Sequence, residues 1–160
     1  MGRKESFLCY CNSMNDHIYK SHNKTLLLYH LVFPAKYRQK VFSKAVEISL
    51  RDICLEIEKC YEIHFVEIGL EEDHVHFLVQ SVPSIAVFRI VTILKSITAR
   101  EIFKLHKDVK KILWGGSLWT SGYYVNTVGQ YASAEVIKKY VENQGREYKK
   151  LHSAQLLFDF

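Results

Sequence analysis

The segment IHFVEIGLEEDHVHFLVQ, residues 63–80, contains two short runs rich in β-branched and aromatic residues, separated by a polar turn. The runs cover residues 63–70 and 74–80, and the residues from Gly69 to Asp73 supply the turn between them. Such side chains suit the pleated, half-buried surface of a strand. We therefore predict two neighbouring strands here and place the remaining elements around them.

Two further elements are predicted on the N-terminal side of this pair. Residues 25–33, TLLLYHLVF, have the composition of a buried strand, which Pro34 ends. Ser43 follows as a candidate helix N-cap, and the helix should run to about Cys60. Its apolar stripe at helical spacing comprises Val46, Leu50, Ile53, Cys54 and Ile57.

Three more elements are predicted on the C-terminal side. A second long helix opens at residues 83–84, where proline and serine stand together, and runs to about Lys107. Residues 123–128 have the pattern of a fourth strand. Ser133 begins a last helix, which Gly145 ends.

The predicted order is strand, helix, strand, strand, helix, strand, followed by the extra helix. This is the split strand–helix–strand pattern of ferredoxin-like and RRM-like α+β folds. We expect a four-stranded antiparallel sheet with two long helices on one face. Residues 24–150 would form this single domain, with an N-terminal tail at residues 1–23 and a C-terminal tail at 151–160. Because the fold hosts many functions, the function has to be inferred from the site.

Composition narrows the class of protein only modestly. The chain has 160 residues, 48% of them hydrophobic, and a net charge of +5, which favours polyanions such as nucleic acid. Four cysteines occur without a Cys-x-x-Cys pair, which argues against a zinc ribbon or a disulfide framework. No apolar run approaches the roughly 20 residues that span a bilayer. We expect a soluble, cytoplasmic protein with no membrane partner.

The sharpest local feature is His74-Val75-His76 in the third predicted strand. Alternation places the two histidines on one face, while Val75, Phe77 and Val79 share the other face and can pack on helices. Two imidazoles so placed are close enough to bind one ion. The alternative is a pair of unrelated, half-buried histidines.

A second feature is Tyr140 with Gln144 in the last predicted helix. Four residues apart, the two side chains project from the same helical face. A phenol and an amide in this arrangement could meet one metal-bound phosphate. The plainer alternative is a tyrosine in the core or at the rim of an amphipathic helix.

Four ordered segments carry a resemblance to a known family. The segments YHLVFPAKYR (29–38), EEDHVHFLV (71–79), LWTSGYYVNTVG (118–129) and IKKYVENQ (137–144) resemble those of the single-tyrosine HUH transposases. That family serves small insertion sequences that move as single-stranded DNA, and the resemblance covers about residues 18–148. It implies a DNA transposase that cuts and rejoins hairpin-containing element ends through a 5′-phosphotyrosine.

The resemblance also implies the parts of the site. His74 and His76 would be metal ligands, Tyr140 the nucleophile, and Gln144 the residue that completes the metal site. The metal would be Mg²⁺ or Mn²⁺. The family is implied to be homodimeric, with the tyrosine helix of one subunit often completing the histidine site of the other. The strands at 25–33 and 123–128 are candidates to pair across the two-fold axis.

Residues for DNA binding are predicted from charge and stacking. Lys36 and Arg38 flank Tyr37 in a loop, and Lys95 and Arg100 lie on the second helix. These cations could hold phosphates while aromatic rings stack on unpaired bases, although a merely solvated basic surface is the alternative. The two tryptophans, Trp114 and Trp119, are predicted to be packing residues rather than base platforms.

Other functions fit part of the pattern. A domesticated HUH relative acting on genomic repeats would share the same motifs. A plasmid relaxase or a replication initiator fits less well with the small size and the single late tyrosine. A non-enzymatic, nucleic-acid-binding ferredoxin-like module would show aromatic residues on its two central strands, whereas histidines occupy the third strand here.

Overall fold

The computed structural model describes residues 17–129, and a four-stranded antiparallel sheet lies at its centre. The elements in chain order are β1 (Ile18–Lys20), β2 (Asn23–Thr25), β3 (Leu27–Pro34), α1 (Lys44–Cys60), β4 (Ile63–Leu70), β5 (His74–Ser81), α2 (Val87–Leu105), α3 (Lys107–Ile112) and β6 (Tyr124–Val128). The strand order in the sheet is β4-β5-β3-β6. The expected α+β class and the four-stranded antiparallel sheet are confirmed.

β3, which comes first in the chain among the four strands of the sheet, lies in the interior of the sheet, a position that its sequence does not reveal. β3 is hydrogen-bonded to β5 on one side and to β6 on the other. With both edges occupied, this strand cannot pair with a second subunit, so the prediction that residues 25–33 pair across a two-fold axis is wrong. Within residues 17–129 the edges of the sheet are β4 and β6, and β6 remains a candidate for such pairing.

Strand boundaries differ slightly from the prediction at the N-terminal side. β3 begins at Leu27 rather than at residue 25 and includes Pro34, whose carbonyl accepts a hydrogen bond from the Thr120 amide at 3.1 Å. Proline is tolerated here because the end of the strand requires no N–H from it. Residues 18–25, around the predicted end of the tail, form the small antiparallel hairpin β1–β2.

Helix α1 follows the predicted pattern closely. Ser43 caps it, with its hydroxyl accepting a hydrogen bond from the Val46 amide at 3.4 Å, and the helix ends at Cys60. All five residues of the predicted apolar stripe are buried. Local signals therefore specify this helix well.

Helix α2 was predicted too long at both ends. Pro83 and Ser84 lie in a turn, closed by a hydrogen bond from the Ile85 amide to the Val82 carbonyl, and the helix begins only at Val87. The helix ends at Leu105 because His106 leaves helical geometry, with φ −118° and ψ 87°. A short helix that was not predicted, α3, follows.

The core lies between the sheet and the two long helices. Val75, Phe77 and Val79 of β5 are fully buried in it, as alternation predicts, together with Leu31 and Phe33 of β3. The histidines of the same two strands occupy the alternate positions, whose side chains lie on the other face of the sheet. Among the helices of residues 17–129, none has the length and apolar character needed to cross a membrane.

Candidate functional site

His74 and His76 lie side by side on β5. The centroids of their rings are 4.9 Å apart, and the ring planes meet at 66°. Strand alternation explains the arrangement, because the intervening Val75 points into the core. The sequence thus brings two imidazoles to one place without help from any distant segment.

A carboxylate holds the first of these rings. The Nδ1 atom of His74 lies 2.6 Å from Oδ1 of Asp73, and the other oxygen of Asp73 is 2.8 Å from Nε of Arg38. Because a carboxylate can only accept, His74 donates from Nδ1, which leaves its Nε2 as the atom with a lone pair. A carboxylate behind a histidine is a common arrangement around metal-binding imidazoles.

A third histidine, His30 of β3, holds the second ring. Its Nε2 is 3.0 Å from Nδ1 of His76, and the two rings are stacked with their planes 4° apart. When Nδ1 of His76 carries the proton and donates to His30, Nε2 of His76 is the nitrogen that can bind an ion. Sequence reasoning missed His30, since its contact depends on the register between β3 and β5, which places Val32 opposite His76.

Burial keeps this pair of rings neutral. It lowers the pKa of His30 to about 4 and that of His76 to about 3, and the charges of His30 and His74 lower the pKa of His76 further. Both rings are therefore uncharged near neutral pH. A neutral imidazole is the form that binds a metal.

The described residues supply only part of a metal site. Within residues 17–129, no three His, Cys, Asp or Glu side chains are grouped so that they could hold an ion. The two imidazoles of His74 and His76 fit a divalent ion that takes its remaining ligands from elsewhere. The predicted third ligand, Gln144, and the predicted nucleophile, Tyr140, lie outside the described residues.

The loop with Lys36 and Arg38 lies next to the histidines. It forms a single 3-10 turn whose start is fixed by two backbone hydrogen bonds, from Ala35 to the Asp73 carbonyl and from Lys36 to the Leu118 carbonyl, both 2.8 Å. The side chain of Arg38 pairs with Asp73, the same carboxylate that holds His74. The structure therefore joins this predicted DNA-binding arginine to the histidine site.

The other two predicted DNA-binding cations are engaged within the chain. The Lys95 ammonium donates to the carbonyls of Thr120, Ser121 and Gly122 at 2.7–3.3 Å, and burial lowers its pKa. Arg100 pairs with the adjacent Glu101. Lys95 fastens the segment before β6 to α2, and a DNA contact by either residue stays a prediction.

The two tryptophans have opposite environments. Trp119 is only 5% exposed, and its indole N–H donates to the Thr98 hydroxyl at 3.0 Å, so its predicted packing role is confirmed. Trp114 is 76% exposed, and the same prediction is wrong for it. Trp114 lies just after the end of α3 and directly before Gly115 and Gly116. Both glycines have positive φ, so that the chain turns away from the core here.

Comparison with known proteins gives a consistent picture. Residues 23–144 match the model of a family described as "Transposase IS200 like". The ISDra2 transposase TnpA of Deinococcus radiodurans is 36% identical over 118 residues, which cover 74% of this chain and 84% of that protein. The transposase for insertion sequence element IS200 of Salmonella typhimurium is 29% identical over 140 residues, covering 85% and 88%.

A solved structure extends the likeness to three dimensions. It is a crystal structure from Deinococcus radiodurans R1, described as that of a transposase, and it superposes with a TM-score of 0.65 at 32% identity. The superposition covers 79% of this chain and 97% of the other. The segment that matches the family model includes His74 and His76 as well as the positions of Tyr140 and Gln144.

Proposed function

Because this chain belongs to the IS200-like, single-tyrosine HUH family of transposases, we propose that it cuts and rejoins single-stranded DNA at the ends of an insertion sequence. The observation that carries the proposal is the histidine pair. Nδ1 of His74 donates to Asp73 and Nδ1 of His76 contacts Nε2 of His30, an arrangement in which Nε2 of each ring, in its neutral form, can face an ion. Such preorganisation suits a divalent-metal site better than two unrelated surface histidines.

His74 and His76 would hold Mg²⁺ or Mn²⁺, with Gln144 completing the protein ligands. When bound, the ion supplies Lewis-acid polarisation of the scissile phosphate and stabilises charge on the leaving oxygen. The protein's own contribution is to keep the His76 imidazole neutral, because burial lowers its pKa, and to fix the orientation of both rings. His30 and Asp73 do this from behind the rings, where they do not compete for the ion.

Tyr140 would be the nucleophile. Its phenol oxygen attacks the phosphorus, the bond to the 3′ oxygen breaks, and the phenolic proton passes through solvent to the leaving oxygen. The products are a 5′-phosphotyrosine and a free 3′-hydroxyl. Because the new ester retains the energy of the phosphodiester, attack by another 3′-hydroxyl releases the tyrosine and joins new ends without ATP.

The active form would be a homodimer that binds hairpin-containing ends. One tyrosine makes one covalent link, whereas excision of an element requires two cuts, and two-fold symmetry supplies two nucleophiles. The tyrosine helix of one subunit would complete the histidine site of the other. Light scattering that shows only monomer at micromolar concentration, together with full cleavage activity, would contradict this part.

Cleavage of a single-stranded element end, labelled at one terminus, tests the proposed function. We expect cleavage by the wild type with Mg²⁺ or Mn²⁺ and none with EDTA. His76→Ala should lose activity by at least a hundredfold, because removal of one ligand abolishes the ion site. His106→Ala is the matched control, since this histidine contacts Ser49 away from the pair. Metal-independent activity, or equal activity of His76→Ala and the wild type, would refute the metal role.

A further inference from the structure

Tyr37 and Trp114 form an exposed, stacked aromatic pair, here called the aromatic platform. Their ring centroids are 5.9 Å apart with the planes at 19°, yet Tyr37 is 57% and Trp114 76% exposed. A single exposed aromatic residue is ordinary in a soluble protein. Two that stack on one another outside the core leave a large planar surface facing water, and this arrangement calls for a ligand with a matching flat face.

The backbone beneath the platform is strained. Tyr37 and the next residue, Arg38, have φ of 58° and 55°, in the left-handed region that residues with a Cβ rarely adopt. Two consecutive residues of this kind cost folding free energy, and such strain concentrates at sites that hold ligands. Neither residue is buried, so packing of their side chains does not account for the turn.

One cation lies beside the platform, and two more shortly precede Trp114 in the chain. The Lys36 ammonium lies 5.1 Å from the centroid of the Tyr37 ring, and Lys110 and Lys111 are exposed in the last turn of α3, shortly before Trp114. Within residues 17–129 these three lysines have no carboxylate partner. Aromatic faces among cations are the combination that binds single-stranded nucleic acid, through base stacking and phosphate contacts.

The platform is linked directly to the histidine site. Arg38 follows Tyr37 in the chain, and its guanidinium pairs with the Asp73 carboxylate that holds His74. The platform and the histidine site are therefore connected through one side chain, that of Arg38, and one carboxylate, that of Asp73.

We propose that Tyr37 and Trp114 stack on an unpaired base of the DNA strand next to the scissile phosphate. The proposal rests on the function proposed above and adds a reason for strand selectivity. In a duplex each base face is already stacked on its neighbours, so only a single strand can offer one to the indole. Trp114 is the main stacking residue, and Tyr37 supports it from beneath.

Tryptophan fluorescence tests the platform directly. The chain has two tryptophans, and Trp119 is buried, so quenching by added DNA reports on Trp114. The probes are a single-stranded deoxythymidine oligonucleotide, an abasic strand of the same length, and the corresponding duplex. We expect strong quenching by the first and little by the other two.

Binding of variants completes the test, measured by anisotropy of a labelled oligonucleotide. Trp114→Ala should weaken binding of the deoxythymidine strand about tenfold, the usual effect of losing one base–aromatic stack. Trp114→Phe should recover most of the affinity. Phe88→Ala is the matched control, because Phe88 is equally exposed, at 71%, but lies at the start of α2.

Two results would contradict the proposed stacking of a base on the aromatic platform. One is equal affinity of the wild type and Trp114→Ala for the deoxythymidine strand, and the other is equal affinity of the wild type for base-containing and abasic strands. Neither result affects metal-dependent cleavage by the wild type, which tests the proposed function separately. A wild type that stacks the strand but never cleaves any element end would leave the platform standing and refute the proposed function.

Discussion

His76 differs from His74 in what stands behind it. A carboxylate holds His74, whereas a second neutral imidazole, that of His30, holds His76. An ion bound at Nε2 of His76 requires Nδ1 to carry the proton and to donate to Nε2 of His30. This hydrogen bond also prevents the buried ring from rotating, so His30 acts as a positioning residue for the predicted metal ligand.

Replacement of His30 should therefore weaken metal binding, although His30 itself would not contact the ion. We expect His30→Leu to reduce Mn²⁺ affinity by about 10- to 100-fold, the usual effect of losing a partner behind a metal-binding histidine. His30→Gln, which can still bond to Nδ1 of His76, should recover part of it. Electron paramagnetic resonance of free Mn²⁺ measures both variants, with thermal unfolding as the control for folding. Wild-type affinity in His30→Leu would show that the contact has no positioning role.

Individual side-chain contacts at the histidines differ in whether the sequence can predict them. The shared face of His74 and His76 follows from strand alternation, which is local and readable. The hydrogen-bond partner of His76 cannot be predicted from local sequence. It depends on the register between two strands that are separated in the chain by a helix and a strand. The two tryptophans illustrate the same limit: similar residues in one loop differ in exposure because of the path that the loop takes.

Among the elements, α1 was predicted correctly because its N-cap and apolar stripe are both local signals. The start of α2 was predicted wrongly, because proline and serine at residues 83–84 also suit the turn that they form here. The attachment of β6 could not be predicted either. Besides its pairing with β3, β6 is held through Lys95, whose ammonium reaches three successive carbonyls in the segment before the strand.

Loss of the Lys95 ammonium should loosen that attachment. We expect Lys95→Met, which keeps the aliphatic stem, to lower the free energy of unfolding by about 1–3 kcal/mol, the range for hydrogen bonds to a charged group. Urea denaturation measures the change, and Lys104→Met is the control, since the ion pair that Lys104 makes among the described residues is with Glu101 on the surface. Unchanged stability with weaker DNA binding would favour a DNA contact instead of the structural role.

At the scale of the whole molecule, the order of elements was enough to predict the fold class. The order of strands in the sheet excludes β3 from any intersubunit pairing and leaves β4 and β6 at the edges of the part of the sheet that residues 17–129 form. β4 carries an irregularity between Phe65 and Glu67, a feature that discourages edge-to-edge pairing. A dimer formed by strand pairing would therefore use β6, whose C-terminal end leads toward the segment that contains Tyr140.

Tyr140 is predicted to join the protein covalently to DNA, and mapping of the adduct measures whether it does. The protein would be incubated with a single-stranded element end and Mg²⁺ or Mn²⁺, digested, and the DNA-linked peptide identified by mass spectrometry. Of the ten tyrosines, we predict that only Tyr140 carries a 5′-phosphate, that Tyr140→Phe forms no adduct while still binding DNA, and that Tyr123→Phe forms it normally. A 5′-linked adduct in Tyr140→Phe, or on any other tyrosine of the wild type, would contradict the account.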